Sequence, residues 1–239
     1  MIDPQSWMRQ AAALLQEQFG SRLLFVGLQG SYRRGEARED SDIDIVTILD
    51  GMSLRDLAAY RAVLRALPEG EKACGFTCGA PELLAWPPFE LFQFAQDTDA
   101  WHGELAPLLP PVTRADTVTG ARAAVSGLHH YTAYLYVSGD EAERAEALNG
   151  VYKGFFFAMQ VVHYLRAGTY PRTKQELFAM LGGGEAELLR RGMNTAYYDG
   201  LAAHNPDSLF QDMLAWTGNV MRELTQIGAG RELDEAEQI

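Results

Sequence analysis

Cysteine is scarce in this chain of 239 residues: Cys74 and Cys78, four apart in ACGFTCG, are the only two. A disulfide framework cannot be built from them, nor a structural zinc site, which needs a second pair of ligands. They read as small buried residues, a local metal or redox role being the other reading. Basic residues are also in deficit, 20 Lys and Arg against 32 Asp and Glu, for a net charge of −12. Such a balance repels polyanions and excludes a broad nucleic-acid surface, so no long nucleic acid is expected as a partner. It is compatible with a small cationic partner, and equally with surface acidity that only keeps the chain soluble. No apolar run is long enough to cross a bilayer, and the opening MIDPQSWMRQ lacks a basic region followed by an apolar stretch. The expectation is a cytoplasmic protein with no membrane partner. Internal repeats and low-complexity tracts are absent. His102, His129, His130, His163 and His204 show no metal-ligand spacing with carboxylates or cysteines, and read as structural or as polar pocket contacts.

What is present is an apolar content of 47%, ample for real cores. The most informative stretch is LLFVGLQGSYRRGEAREDSDIDIVTIL, in which Gly30-Ser31 and Asp42-Ile43-Asp44 lie between two strand-like runs, Leu23 to Leu28 and Ile43 to Leu49. A turn opening with Gly-Ser can bring backbone N–H groups and one hydroxyl close to a phosphate, because glycine has no Cβ to hold the ligand away. Alternation along the second strand sends Asp42 and Asp44 to one face and Ile43 and Ile45 to the other. Two carboxylates on one face beside a phosphate-holding turn suit Mg²⁺ chemistry on a nucleoside triphosphate. A hairpin with a solvated acidic loop would account for Arg38, Glu39 and Asp40, but not for twin aspartates embedded in IDIVTIL.

Around this motif the pattern predicts a helix from Asp3 and Pro4 to a stop at Gly20, and another from a Ser53 cap to Leu67. The run FELFQFAQDT, dense in phenylalanine behind Pro87 and Pro88, is expected to be a strand. On such a strand Glu90 shares a face with Phe92 and Phe94, while Asp97 lies on the smaller, more polar face with Gln93 and Ala95. The proline-rich LAPLLPPVTRADT marks a boundary, giving domains at 1–112 and 113–239. Beyond it, helical spacing runs through Thr117 to Val137, Asp140 to Leu165, Lys174 to Leu181, Glu185 to His204 and Asp207 to Ile227, with GRELDEAEQI as a frayed tail. The fold class is therefore α+β, a mixed-sheet domain with flanking helices followed by an all-helical one.

The Gly-Ser turn and Asp-x-Asp pair resemble the signature of the polymerase-β-like nucleotidyltransferase superfamily, and the two-part layout is similar to small bacterial antibiotic nucleotidyltransferases of the aminoglycoside type. The resemblance implies transfer of a nucleoside monophosphate, AMP from ATP or from another nucleoside triphosphate, onto a hydroxyl of a small-molecule acceptor such as an aminoglycoside-like antibiotic, with Mg²⁺. It implies that Asp42 and Asp44 hold metal, that Gly30 and Ser31 grip the triphosphate, and that Arg33 (or Arg34) and Lys153, the lone charge in GVYKGFFFAMQ, are nucleotide contacts. Lys153 snorkelling to the surface is the plainer alternative. It further implies a third carboxylate that completes the metal site and takes the acceptor's proton; strand phase favours Asp97, with Glu90 as the alternative. Two other functions stay open: a protein-modifying adenylyltransferase of the minimal, antitoxin-like kind, although no Arg-x4-His motif of the partner toxins is found, and a nucleotide-binding module without turnover.

Overall fold

The computed structural model describes residues 1–194 and 206–236 of the chain. It divides into two compact units, Met1–Val112 and Thr113–Ile239.

The first unit begins with α1 (Pro4–Phe19). Asp3 caps it by accepting the Gln5 N–H at 3.2 Å, and Pro4 fills the first turn, where its missing N–H costs nothing. Its buried stripe, Trp7, Met8, Ala11, Leu15 and Phe19, follows the helical repeat. Then come β1 (Leu23–Gln29), α2 (Gly30–Arg34), β2 (Ile43–Leu49) and α3 (Leu54–Ala66). A reciprocal capping box between Ser53 and Asp56 starts α3. The unit continues with β3 (Ala73–Gly79), α4 (Ala80–Leu84), α5 (Pro88–Gln96) and β4 (Asp99–His102).

The four strands form one sheet in the order β3-β2-β1-β4, with β1 antiparallel to both β2 and β4 and β2 parallel to β3. Both faces are covered. Ile43, Ile45 and Leu49 pack with α1 and α3 in one core. Val46 and Ile48 pack on the other face with Phe25, Cys78, Leu83 and Leu91. By alternation, Asp44 and Asp42 continue the Val46–Ile48 face past the edge of that second core. The far end of the β1–β2 hairpin is pinned by Arg22, which donates to Asp50 at 3.0 Å, to Asp56 at 2.7 Å and to the Gly51 carbonyl at 2.9 Å. That guanidinium, with the Ser53 hydroxyl, holds the Asp56 carboxyl well below the usual carboxylate range.

One expected element is corrected. The run over Phe89 to Phe94 is not a strand; it lies in α5, and the fourth strand is the short β4 after it. Pro88 at the first helical position starts the helix in the place where proline is tolerated best. The apolar residues serve it equally well, because Leu91 and Phe92 form the buried stripe and Phe94 packs edge-on against Phe76 at 4.9 Å. CGFTCG, given no structure from its pattern, is β3.

The second unit is helical in its described residues: α6 (Arg114–Ser138), α7 (Glu141–Ala167), α8 (Lys174–Met180), α9 (Gly183–Met193) and α10 (Pro206–Ala236). Side-chain oxygens of Thr113, Asp140 and Thr173 cap α6, α7 and α8 in turn. Its core is drawn from Phe155, Phe156, Met159, Leu209, Phe210, Met213 and Leu224, all nearly or fully buried. The expected helix Glu185 to His204 is α9 as far as Met193, and 195–205 lie outside the described residues. The last helix runs on past Ile227 to Ala236, where a frayed tail was expected.

Candidate nucleotide site

The site is built where β1 ends and β2 begins. These strands pair antiparallel in a register that sets Gln29 opposite Asp44, so the first residue after β1, Gly30, lies beside the second aspartate. The approach is very close. A Cβ at Gly30 would fall 1.7 Å from Asp44 Oδ2 and 2.6 Å from its Cγ, and Gly30 has φ +71°, in the left-handed region. Only glycine meets both demands, so the turn and the carboxylate are in direct contact because residue 30 has no side chain.

Asp42 is exposed and Asp44 half-buried, while Ile43 and Ile45 between and beyond them are fully buried. The outward face predicted for both carboxylates is therefore the one observed. Asp44 Oδ1 accepts a weak hydrogen bond from the Cys74 thiol at 3.4 Å, and β2–β3 pairing puts these two residues side by side. Cys74 is exposed, unlike its expected burial, whereas Cys78 two pleats along is buried and its thiol is pushed up to about 11 by that burial.

The turn itself is firmly seated. Tyr32 is buried, its hydroxyl accepting the Ile2 N–H at 3.2 Å, and the Glu36 N–H closes back on the Ser31 carbonyl at 2.9 Å. Ser31 is half-exposed at the mouth of the turn. Arg34 is paired with Glu36 at 3.1 Å.

Three expected contacts are placed differently. Asp97 does not project from a strand; it ends α5, is 8% exposed, and pairs with Arg33 at 3.0 Å. Arg33, expected to reach phosphate, has its side chain 2% exposed and also meets Asp99 at 3.3 Å and the Gln96 carbonyl at 2.9 Å. Glu90 is exposed on α5 and accepts the Trp86 indole N–H at 2.8 Å. Among the described residues, no group of three or more His, Cys, Asp or Glu side chains is placed to hold a metal, so the expected set of Asp42, Asp44 and Asp97 is not assembled. The helix over Phe89 to Gln96 is the reason, since it turns Asp97 inward onto Arg33 instead of presenting it beside the pair.

In the second unit, Lys153 is exposed on α7 while its neighbours Tyr152, Phe155 and Phe156 are buried. Lys174 follows the Thr173 cap and lies 5.6 Å over the Phe156 ring. His129 shares a hydrogen bond of 2.8 Å with Thr217, and His163 one of 3.3 Å with Thr169, in keeping with structural roles.

Residues 8–86, spanning α1 to α4 and therefore both the turn and the carboxylate pair, match the family model of the nucleotidyltransferase domain. Over these residues the chain is similar to a nucleotidyltransferase domain. Among solved structures it is similar to the spectinomycin adenyltransferase AAD(9) from Enterococcus faecialis, determined with ATP and spectinomycin. The TM-score is 0.57 at 9% identity, covering 91% of this chain and 99% of that one, so the likeness is one of fold and extends over the helical unit as well as the first. No curated protein matches the chain. Among the described residues, no helix is long and apolar enough to cross a membrane.

Proposed function

We propose that the chain moves a nucleoside monophosphate, AMP from ATP, onto a hydroxyl of a small-molecule acceptor, the P–O bond to pyrophosphate breaking as the new ester bond forms and the hydroxyl proton passing to solvent, with Mg²⁺ held by Asp42 and Asp44. The observation that carries this reading is the contact between Gly30 and Asp44: a phosphate turn and a carboxylate are so close that a methyl group at residue 30 would overlap the acid. The donor set suits the ion. Two hard carboxylates, separated by about 7 Å along the strand and leaving the remaining positions to phosphate and water, match the way Mg²⁺ is usually held in phosphoryl-transfer sites. The soft thiol of Cys74 adds little to Mg²⁺ affinity.

When bound, the metal supplies charge neutralisation for the triphosphate. The chain's own residues supply position. Ser31 and the backbone of the turn face the terminal phosphates, and the buried Tyr32 and Ile43 fix the turn and the strand that flank them. In-line displacement at phosphorus passes through a loose transition state, so alignment and charge compensation account for most of the rate. Among the described residues no third carboxylate converges on the pair, and positioning and charge compensation do not themselves require one. The net charge of −12 is compatible with a cationic acceptor, and an aminoglycoside-like antibiotic has hydroxyls and positive charge. AAD(9), of similar fold, was determined with ATP and spectinomycin.

The test is mass spectrometry after incubating the protein with Mg²⁺ and ATP, alone, with a panel of aminoglycosides and aminocyclitols, and with cell lysate. A drug gaining the mass of AMP is the expected result. Labelling confined to lysate proteins would replace this reading with protein adenylylation, and ATP binding without any labelled product would reduce the chain to a nucleotide-binding module.

A further inference from the structure

The buried ion pair behind the turn explains what the Phe94–Asp99 segment does. We propose that this segment is a brace for the Gly30–Arg34 turn, and that Arg33 and Asp97 are positioning residues of the nucleotide site and not ligands within it; the inference rests on the nucleotide-site reading above. Two independent tethers join the turn to the segment. On the near side, Gln29, the residue immediately before Gly30 and the register partner of Asp44, donates from Nε2 to the Thr98 hydroxyl at 2.6 Å and to the Phe94 carbonyl at 3.4 Å. Thr98 in turn donates to the same carbonyl at 2.5 Å. On the far side, Arg33 donates to Asp97 Oδ1 at 3.0 Å and to the Gln96 carbonyl at 2.9 Å, and pairs with Asp99 Oδ1 at 3.3 Å.

Burial makes the far tether obligatory. A guanidinium whose side chain is 2% exposed has lost its water and is stable there only while these acceptors remain. Its planar fork can meet acceptors on α5 and β4 together, which a lysine ammonium, a single point of charge, cannot reproduce. The segment it grips is itself rigid, anchored by the buried Leu91 and Phe92 on α5 and by pairing of β4 with β1. For Arg33 to reach a phosphate it would have to abandon both carboxylates. For Asp97 to serve as a base it would have to give up the cation that balances it in a buried position. Holding the turn is the role that uses every one of these contacts, and a displacement of about 1 Å in a phosphate-aligning element costs on the order of a hundred-fold in rate.

The experiment compares Arg33→Met, Arg33→Lys, Asp97→Asn and the Arg33→Met/Asp97→Asn double variant with the wild type. Affinity for a non-hydrolysable ATP analogue in Mg²⁺ is measured by calorimetry, and hydrogen exchange of the amides over residues 30–35 is followed in the unliganded protein. Each of Arg33→Met and Asp97→Asn is expected to weaken nucleotide binding roughly ten-fold or more and to speed exchange in the turn. The double variant should be no worse than the more damaging single one, and Arg33→Lys should recover part of the loss. Thr98→Val, which loosens only the near tether, should move both readouts the same way by less, and it keeps the test decisive if Arg33→Met melts out. Unchanged exchange and binding in Arg33→Met and Thr98→Val would overturn the brace. So would an Asp97→Asn protein that binds nucleotide and exchanges like wild type but has lost turnover, since that is the behaviour of a base. Asp44→Asn separates the two levels of argument. If it binds Mg²⁺ and nucleotide as wild type does, the site reading itself is wrong, whereas lost binding there with intact binding in Arg33→Met removes only the brace.

Discussion

Gly30→Ala gives the sharpest test of the site because the same turn contains its own control. Gly30 and Gly35 have nearly equal left-handed torsions, φ +71° and +69°. At Gly35 a Cβ would meet nothing within 4 Å, while at Gly30 it would fall 1.7 Å from Asp44 Oδ2. The backbone cost of placing alanine in this region is about 1–2 kcal/mol at either position. For a unit of this size that is a fall in Tm on the order of 4–8 °C. Gly35→Ala should show this cost and nothing else. Gly30→Ala should show the same cost plus a displaced carboxylate, because Asp44 has to retreat by about 1.5 Å or more to reach ordinary non-bonded separation.

The extra displacement is read in binding. Misplacing an aligning group by about 1 Å costs on the order of a hundred-fold in rate, so Gly30→Ala is expected to lose Mg²⁺-dependent nucleotide binding and transfer by at least that factor relative to Gly35→Ala. Thermal melts give the shared term, and calorimetric titration with an ATP analogue, with and without Mg²⁺, gives the difference between the two variants. Equal nucleotide affinity in the two proteins would refute the reasoning, since the contact between turn and carboxylate would then have no part in binding.

Asp42→Asn and Asp44→Asn are each expected to abolish transfer while keeping the far-ultraviolet circular dichroism and the melt, because Ile43 and Ile45, and not the carboxylates, are buried in the core. Thiol titration with a chromogenic disulfide should find one fast site, Cys74, and release Cys78 only on unfolding; Mg²⁺ with ATP should slow the fast phase, because Cys74 touches Asp44 at 3.4 Å. Cys78 ionises at about 11 in the fold against 9.0 for an ordinary thiol, so the unfolded chain loses that proton first, and stability should decline as pH rises from about 9 to about 11; Cys78→Ala should flatten this part of a denaturation profile. In the helical unit Arg166 is paired with Glu223 at 2.7 Å and with Glu185 at 2.9 Å, and the guanidinium lowers the Glu223 carboxyl from its usual range. That contribution is complete above the ordinary glutamate pKa and is lost as pH falls through the lowered value, so Arg166→Gln should reduce the acid sensitivity of the unit in chemical denaturation.

The parts of the fold legible in the sequence are those where one local signal had no competitor. Asp3-Pro4, Ser53 and Thr173 announce helix starts whose caps are observed as hydrogen bonds. The alternation in DIDIVTIL sorts acids from isoleucines because a strand with one end in solvent and the rest in two cores tolerates no other phase. The failure at Phe89 to Phe94 has the opposite cause. Four apolar residues within six positions fit a buried strand and a buried helical stripe alike, and Pro88, read as the start of a strand, is equally the favoured first residue of a helix. CGFTCG shows the converse, since its glycines disguise a strand whose register comes from parallel pairing with β2, a partner no local window contains.

That single misassignment had a larger consequence for the site than for the fold, since the sheet retains a fourth strand a few residues later. Reading Asp97 as a strand residue directs it to the smaller, more polar face and invites a catalytic role; ending a helix, it turns inward and meets Arg33. Each of the two residues looks functional by itself, an acid near a metal site and a base near a phosphate turn. Seen together they are a buried ion pair, extended by Asp99, and Gln29, which drew no notice in the sequence, tethers the same segment from the other side of Gly30. The ligand contacts expected of both residues are replaced by contacts with each other, with Asp99 and with the Gln96 carbonyl, so that on the proposed reading their effect on nucleotide would pass through the turn that contains Gly30 and Ser31.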